Sequence, residues 1–378
     1  MATYGAAVSE HPDAAQAIGE VLGVVLEATG PAPDVAVLFV GAAHRAAVDD
    51  ISEAVARILE PVALIGATAG SVIGGPVEVE DGPAISLWAG HTSAAEAVRL
   101  EAVGSPEGVA VAGMPDHAAL GNRTLVLLAE PFSFPAEAFA SASNQQYPHL
   151  TIVGGIASAG GPRANRLVLD ETVLSDGAVG VLLPEGLGEM AVVSQGCRPV
   201  GDPFVVTASE GNTIKSLASR PALDRLRETV DNANEGDRAL LTRGLHIGLV
   251  VNERAERYGR GDFLIRGVLG ADHEAGALHV GARTPIGTTV QFHVRDAVAA
   301  AEDLGHMLRS VDADSALSFT CNGRGSQLFG SADHDAAAVS AAVNGGPLAG
   351  MSCAGEFGPV GGENHVHGFS ASVLFLHG

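Results

Sequence analysis

Three segments of the chain repeat the same order of strand, helix and glycine-ended strand, and this internal repetition constrains the fold more than any other feature. The opening strands cover residues 35–39, 124–128 and 316–319, and the returning strands reach Gly66, Gly154 and Gly350. Each copy closes with another apolar strand, at residues 84–88, 178–183 and 370–376. A repeated unit of this size cannot bury its apolar face alone. We therefore predict a scaffold built by duplication, in which loops of equivalent position converge.

The spacing of apolar residues predicts the helices of these copies. Residues 12–28 and 46–59 carry apolar side chains at helical intervals, and a further helix is predicted over residues 135–144. In the third copy, Asp333 is predicted to cap a helix N-terminus. Because single helices alternate with pairs of strands, we predict an α/β fold class in which repeated strand-helix-strand-strand units form layered mixed sheets covered by helices.

A block of different character, residues 187–310, separates the second copy from the third. Its pattern predicts several strands, helices over about 212–230 and 297–311, and an exposed polar linker at 231–237. We predict an N-terminal domain over residues 1–186, holding two copies, and a C-terminal region over residues 187–378. That region would combine the inserted block 187–310 with the third copy, 311–378. Whether the block hides a fourth repeat stays open.

Composition narrows the function classes. The formal net charge is -23 and aromatic residues make up 4% of the chain, so nucleic acids and anionic membrane surfaces are both disfavoured as partners. No apolar run reaches the length of a membrane span, and acidic residues stand where a signal peptide needs basic ones. Three separated cysteines indicate no disulfide framework. We expect a cytoplasmic protein without membrane insertion or nucleic-acid binding.

Four loop segments are unusually rich in glycine and hydrogen-bonding groups. They cover residues 196–203 (GCRPVGDP), 321–325 (CNGRG), 352–359 (SCAGEFGP) and 361–369 (GGENHVHGF). With the flanking residues 328–330 and 347–350, these segments resemble the C-terminal signatures of the FIST family, a sensory ligand-binding module of bacterial signalling proteins. The resemblance covers nearly the whole chain, with an N-terminal and a C-terminal half. Each segment alone is weak, but their order and number make the match specific.

The resemblance implies binding of a small ligand, such as an amino acid or a related metabolite. We expect no output segment fused to this chain, so a signal would pass through a separate protein partner. The first copy departs from the pattern, because residues 66–71 lack counterparts of Cys353 and Glu356. The first two copies are therefore interpreted as mainly architectural.

The residues of the third copy support a binding site independently of the resemblance. Arg324 stands between two glycines after an apolar strand, where its guanidinium could hold a carboxylate bidentately. Glu356 could receive an ammonium group, so the two side chains together would suit a zwitterion. We expect Arg324→Ala to abolish ligand affinity and leave folding intact. The remaining predicted ligand-binding residues are Asn322, Gly323, Gly325, Asn364, His367 and Arg198, and for Arg198 a structural ion pair is the alternative.

The same loops raise three alternatives to a ligand-binding site: a metal site, a cysteine-dependent enzyme and a protein-interaction module. His365 and His367 share one face of a predicted strand, but no third ligand has diagnostic spacing, so no metal and no cofactor are predicted. Cys197, Cys321 and Cys353 leave open a cysteine-dependent hydrolase or transferase with His367 as base. No catalytic residue is assigned. A third possibility is a protein-interaction module that binds no small ligand.

Overall fold

The computed structural model describes residues 3–105, 108–116, 120–188, 190–255, 257–259 and 261–378. The chain divides into two compact units. The first unit comprises Met1–Val193, Leu304–Val366 and Ser370–Gly378, and the second comprises Ser194–Asp303 and His367–Phe369. Each unit has its own sheets and apolar core.

The described part of the first unit contains mixed sheets that share one layout. In hydrogen-bonded order, the first sheet contains β1 (Tyr4–Ser9), β6 (Ile85–Gly90), β2 (Val35–Gly41), β3 (Ala63–Ala69), β11 (Leu167–Leu169) and β12 (Thr172–Leu174). The second contains β25 (Glu363–His367), β24 (Glu356–Val360), β10 (Thr151–Ile156), β9 (Thr124–Ala129), β13 (Ala178–Leu182), β7 (Glu96–Ser105) and β8 (Gly108–Ala112). The third contains β14 (Met190–Gln195), β26 (Ser370–Leu376), β22 (Ser315–Cys321), β23 (Leu348–Cys353), β4 (Val72–Gly74) and β5 (Val77–Val79).

The predicted repetition is confirmed in the pairing of these strands. At the centre of each sheet lies one parallel pair, β2 with β3, β9 with β10, and β22 with β23. The closing strand of the same copy, β6, β13 or β26, pairs antiparallel to the first strand. The α/β fold class with mixed sheets is therefore confirmed.

The copies exchange hairpins, a feature that the sequence pattern did not reveal. The hairpin β4–β5 of the first copy pairs with β23 of the third, and β24 of the third copy pairs with β10 of the second. The second copy's hairpin β11–β12 in turn pairs with β3 of the first copy. Each sheet is thus completed by a neighbouring copy, and the three copies close into a ring.

The helices cover the outer faces of these sheets. They are α1 (Ala14–Thr29) and α2 (Val48–Leu59) on the first sheet, α3 (Ala136–Gln146) on the second, and α8 (His334–Ala342) on the third. A 3-10 helix (Ala42–Ala47) and the short helix α7 (Ser326–Phe329) lie in loops. Alternate strand residues face inward, where all three sheets contribute to one apolar core that includes Phe39, Trp88, Val126, Val153 and Phe319. No single copy forms this core, because each supplies one wall of it.

The carboxyl ends of β3, β10 and β23 meet at a shared junction. The Ser158 hydroxyl donates to the Ser352 carbonyl oxygen at 2.6 Å and accepts from the Gly70 amide at 3.0 Å. The Ser71 amide donates to the Ser352 hydroxyl at 3.0 Å. Loops of equivalent position in the three copies therefore converge, as the sequence predicts.

The second unit has a different topology. Its described strands pair antiparallel, in the order β15 (Cys197–Glu210), β21 (Thr289–Arg295), β18 (Leu245–Val250), β19 (Phe263–Asp272), β20 (Ala277–Val280), β16 (Thr213–Leu217) and β17 (Arg220–Pro221). Its helices are α4 (Ala222–Asn232) and α5 (Glu235–Arg243), and α6 (Ala297–Leu308) follows β21. Among the described residues, no pair in this unit reproduces the parallel pair of the repeats.

Two local predictions for this block are wrong. Residues 213–217 form a strand and only the later part of the predicted helix is helical, because Ile214 and Leu217 are buried in the core of this sheet. The predicted linker contains the start of α5, capped by Asn234, whose side chain accepts from the Asp237 amide at 2.8 Å. Within the described ranges, no helix combines the length and the apolar character that crossing a membrane requires.

Candidate functional site

Arg324 lies in the short loop that joins β22 to α7. Its amide donates to the Cys321 carbonyl oxygen at 2.8 Å, which closes a turn, and its side chain is buried, with 1% exposed. Gly325 follows with φ +66°, and a Cβ at this position would stand 2.7 Å from a carboxylate oxygen of Glu80. The turn therefore requires glycine both for its backbone conformation and for the closeness of Glu80.

The Arg324 guanidinium is paired within the protein. Its Nε and Nη2 atoms donate to the two carboxylate oxygens of Asp335, at 2.5 and 2.9 Å, and the guanidinium carbon lies 5.3 Å from the Phe329 ring centroid. Burial alone would raise the pKa of Asp335, but the Arg324 charge and its hydrogen bonds outweigh burial and hold that pKa at about 2. Asp335 therefore makes the bidentate interaction with Arg324 that the sequence predicts for a ligand carboxylate.

This pairing also changes the expected effect of removing Arg324. The sequence predicts that Arg324→Ala leaves folding intact. In the structure Asp335 is fully buried, so the variant would leave an uncompensated charge in the interior. A loss of stability is the expected result, and the earlier expectation is corrected accordingly.

The exchanged hairpin of the first copy completes this loop. Glu80 accepts from the Ser326 amide at 2.7 Å and from its hydroxyl at 2.6 Å. Glu78 accepts from the Ala336 amide at 2.7 Å, and its own amide donates to Asp333 at 2.7 Å. Burial, followed by the charge of Asp335, raises the pKa of Glu78 to about 7. The first copy therefore contributes side chains at the third copy's loop and is more than architectural.

Asp333 stands at the N-cap position of α8, as predicted, but its side chain does not cap the helix. Its φ is +62°, and its side chain makes no capping hydrogen bond to α8. The carboxylate instead accepts from the Glu78 amide of the exchanged hairpin. This long-range hydrogen bond uses the carboxylate oxygen that the local sequence predicts for capping the helix.

Glu356 opens β24 and is fully buried. Its Oε2 atom accepts from the Ser370 hydroxyl at 2.7 Å and from the Ser370 amide at 3.3 Å. Burial raises the pKa of Glu356 to about 8, although the Ser370 hydrogen bonds and the Arg324 charge act in the opposite direction. Its other oxygen, Oε1, is buried and has no hydrogen-bond partner among the described residues.

A second unsatisfied atom belongs to Arg324. Its Nη1 atom is buried and likewise lacks a hydrogen-bond partner in the described part of the chain. Arg324 and Glu356 are both buried and interact electrostatically, so the two side chains belong to one buried polar group. Because most buried polar atoms in proteins are hydrogen-bonded, an unmatched donor and an unmatched carboxyl oxygen make this group a candidate binding site.

Two cysteines border this group. Cys321 and Cys353 end the parallel strands β22 and β23 and are partners in their register. Cys321 is half-buried, whereas Cys353 is fully buried. Burial, together with the nearby Glu356 and Cys321, raises the pKa of the Cys353 thiol well above its usual value.

The remaining predicted residues lie in different surroundings. Asn322 is exposed beside Cys321, and its amide donates to the Cys353 carbonyl oxygen at 2.9 Å. The Gly323 amide donates to the Cys321 sulfur at 3.5 Å. Asn364 is buried in β25, where its side chain accepts from the Ile152 amide at 2.8 Å and donates to the Leu150 carbonyl oxygen at 2.7 Å. The Asn364 side chain thus holds the third copy's hairpin to the second copy.

Arg198 and His367 belong to the second unit. Arg198 pairs with Asp296, at 2.6 Å, and with Asp237, so the structural ion pair considered for it is present. His367 is buried, with 4% exposed. The structure therefore brings Arg324, Glu356 and the two cysteines together in the first unit, with Asn322 and Gly323 alongside.

The sequence missed Asp335, Glu78, Glu80 and Ser370. One signal for the two glutamates was present, because Val77-Glu78-Val79-Glu80 alternates apolar and acidic residues with the period of a strand. Nothing local indicated that this strand would join the sheet of another copy. Among the described residues, no cluster of histidine, cysteine or acidic residues is arranged to hold a metal ion.

Comparison with known proteins gives matches over most of the chain. Residues 34–220 match the model of the FIST N domain, and residues 222–359 match that of the FIST C domain. The chain is 41% identical to uncharacterized protein Mb0898c of Mycobacterium bovis, across 98% of both chains. It is 42% identical to uncharacterized protein Rv0628c of Mycobacterium tuberculosis, across 98% of this chain and 99% of the relative.

Proposed function

Because the chain belongs to the FIST family, whose domains are sensory domains thought to bind small ligands, we propose that it recognises an amino acid or a similar small metabolite. The binding group would be the buried polar group around Arg324 and Glu356. We further propose that ligand occupancy is passed to a separate protein partner, since a sensory domain acts by changing an output component.

The observation that carries the proposal is the pair of unsatisfied atoms, Arg324 Nη1 and Glu356 Oε1. A zwitterion could satisfy both, with its carboxylate accepting from Nη1 and its ammonium group donating to Oε1. Asp335 already occupies two guanidinium nitrogens, so the carboxylate contact would be a single hydrogen bond. Asn322, which is exposed, and Gly323, which is half-buried, lie on the solvent side of Arg324, and a ligand would enter by displacing this short loop.

The ionisation of Glu356 gives the proposal a pH signature. With a pKa of about 8, the free site holds a proton on Glu356 at neutral pH. An ammonium group favours the carboxylate form, so binding at pH 7 should release a proton into solution. Affinity should therefore rise as the pH is raised toward about 8.

The hydrolase alternative is not favoured by the surroundings of Cys353. That thiol is fully buried, and its raised pKa keeps it protonated at neutral pH. A nucleophilic cysteine requires the thiolate and access to substrate.

The test is a thermal-shift screen of the individual amino acids against the whole chain. A hit should raise the melting temperature, and its N-acetyl and C-amide derivatives should not, because each lacks one of the two charges. Isothermal titration of the hit in buffers of different ionisation enthalpy should reveal the released proton. If no amino acid shifts the melting temperature, or if the derivatives bind equally well, the zwitterion proposal is wrong.

The site is tested with Glu356→Gln, which keeps the shape of the side chain and removes its charge. A hydrogen bond to a charged group contributes about 1.5–3 kcal/mol, so affinity should fall about tenfold to a hundredfold. The control is Glu363→Gln, an exposed glutamate of β25 in the same hairpin. Equal affinity of the two variants would place the ligand elsewhere.

A further inference from the structure

The two cysteines at the ends of β22 and β23 are placed for a covalent link. They are register partners in a parallel pair, so their side chains project from the same face of the sheet. Paired strands lie about 4.7–4.9 Å apart. A disulfide needs Cα atoms about 4.4–6.8 Å apart, so the strand spacing meets this requirement. Each cysteine is the last residue of its strand, where the ladder imposes least restraint on a small adjustment.

The surroundings of the two thiols differ, and the difference indicates which thiol reacts first and which reacts second. Cys321 is half-buried, accepts a hydrogen bond from the Gly323 amide at 3.5 Å, and interacts with the Arg324 guanidinium. A nearby amide donor and a positive charge both stabilise the negative charge that develops on an attacking sulfur. Cys353 is fully buried beside Glu356, and its pKa is held well above the ordinary value. Cys321 is therefore the thiol that meets a reagent from solvent, and Cys353 the one that reacts second.

We propose that Cys321 and Cys353 form a peroxide-reactive dithiol that closes a reversible disulfide across the ends of β22 and β23. In the first step the Cys321 thiolate attacks hydrogen peroxide, the O–O bond breaks, and a sulfenic acid and hydroxide form. The hydroxide leaves as water with the proton that Cys321 gave up. In the second step the Cys353 thiol passes its proton to the hydroxyl group of the sulfenic acid as its sulfur attacks the sulfenic sulfur, so that the S–O bond breaks, the S–S bond forms and water leaves. Two thiols and one peroxide thus give one disulfide and two waters.

The link would restrain the loop that carries Arg324. The Asn322 amide is already hydrogen-bonded to the Cys353 carbonyl oxygen, and Arg324 follows Cys321 by three residues. This inference is independent of the ligand proposed above, because it concerns only the two thiols and a peroxide.

The experiment treats the native, reduced chain with hydrogen peroxide, blocks the remaining thiols under denaturing conditions, and maps tryptic peptides by mass. Cys321 lies in peptide 310–324 and Cys353 in peptide 325–378, so a disulfide joins two distinct fragments. The expected product is this linked pair, lighter by two hydrogens than its parts and released by dithiothreitol. Cys197, in peptide 167–215 because trypsin does not cleave the Arg198–Pro199 bond, is buried in the second unit and serves as the internal control. It should remain a thiol.

Variants at each cysteine test the role of the first-reacting thiol and that of the second-reacting thiol separately. In Cys353→Ala, Cys321 should stop at the sulfenic acid and become labelled by dimedone. In Cys321→Ser, Cys353 should remain a thiol and the linked peptide should be lost entirely. The proposal is overturned if the native chain yields no linked pair, if linkage needs denaturant, or if Cys197 reacts as readily as Cys321. The wild-type measurement stands even where a variant fails to fold.

Discussion

Replacing Arg324 with methionine should strongly destabilise the first unit, because it leaves the Asp335 carboxylate buried without its counter-charge. The two side chains are 1% and 0% exposed, and two hydrogen bonds join them. Breaking a buried pair from one side typically costs about 3–5 kcal/mol in the free energy of unfolding. Asp335→Leu should cost a similar amount, because it leaves the guanidinium unpaired.

The double variant Arg324→Met, Asp335→Leu should recover most of this loss. Replacing both members of a buried pair by apolar side chains of similar volume is often close to neutral. The two single effects should therefore be far from additive, with a coupling free energy of about 3 kcal/mol or more. The matched control is Arg57→Met, which breaks an exposed pair with Glu53 in α2. Its cost should be about 0.5 kcal/mol or less.

The assay is urea unfolding followed by the fluorescence of Trp88. This side chain is the one tryptophan of the sequence, it is fully buried in the core of the first unit, and its indole donates to the Ser315 hydroxyl at 2.7 Å. Its emission therefore reports on the first unit alone. The reasoning is refuted if Arg324→Met costs no more than Arg57→Met, or if the double variant loses the sum of the single effects.

Two further predictions use the same assay. Gly350→Ala should destabilise the first unit by about 2 kcal/mol or more, because the new Cβ would stand 2.0 Å from the Ser318 carbonyl oxygen. Gly23→Ala, in open space on α1, should instead add about 0.5–1 kcal/mol, and equal effects of the two would contradict the close approach. Because the folded state retains a proton on Glu356 that the unfolded chain releases, the stability of the first unit should fall as the pH rises from about 4.5 to about 8. Glu356→Gln should reduce the pH dependence of the free energy of unfolding but not abolish it. Glu78, with its pKa raised to about 7, contributes with the same sign. An unchanged pH dependence would show that Glu356 ionises normally.

The repeated units were accessible from the sequence because they depend on local pattern. Apolar strands, helical spacing and the glycines at 66, 154 and 350 each leave a signal within a few residues. The structure explains the glycines, since a Cβ at any of the three would press on a carbonyl oxygen of the neighbouring strand, at 2.7, 1.9 and 2.0 Å respectively. Arg324 and Glu356 were also found locally, as charged residues among glycines in adjacent loops.

The residues that pair with these charged side chains, or contact their loops, could not be predicted from the local sequence. Asp335 is eleven residues beyond Arg324, and Glu78 and Glu80 are about 250 residues before the loop that they contact. Asp333 shows how a local rule fails when a distant strand offers its oxygen another donor. Ionisation was equally out of reach, because the raised pKa of Glu356 depends first on burial.

The sequence by itself determined the repeated unit, its mixed sheets and the concentration of polar side chains in the loops of the third copy. These features depend on periodicity and glycine placement, which act over short stretches of chain. Tertiary structure alone decided that the copies exchange hairpins and close around one core. The physical reason is that a hairpin of three-residue strands has no stable partner of its own, and an apolar edge strand gains from whichever sheet edge lies beside it. That exchange brings acidic residues of the first copy to the segment that follows Arg324, where Glu80 accepts from Ser326 and Glu78 from Ala336.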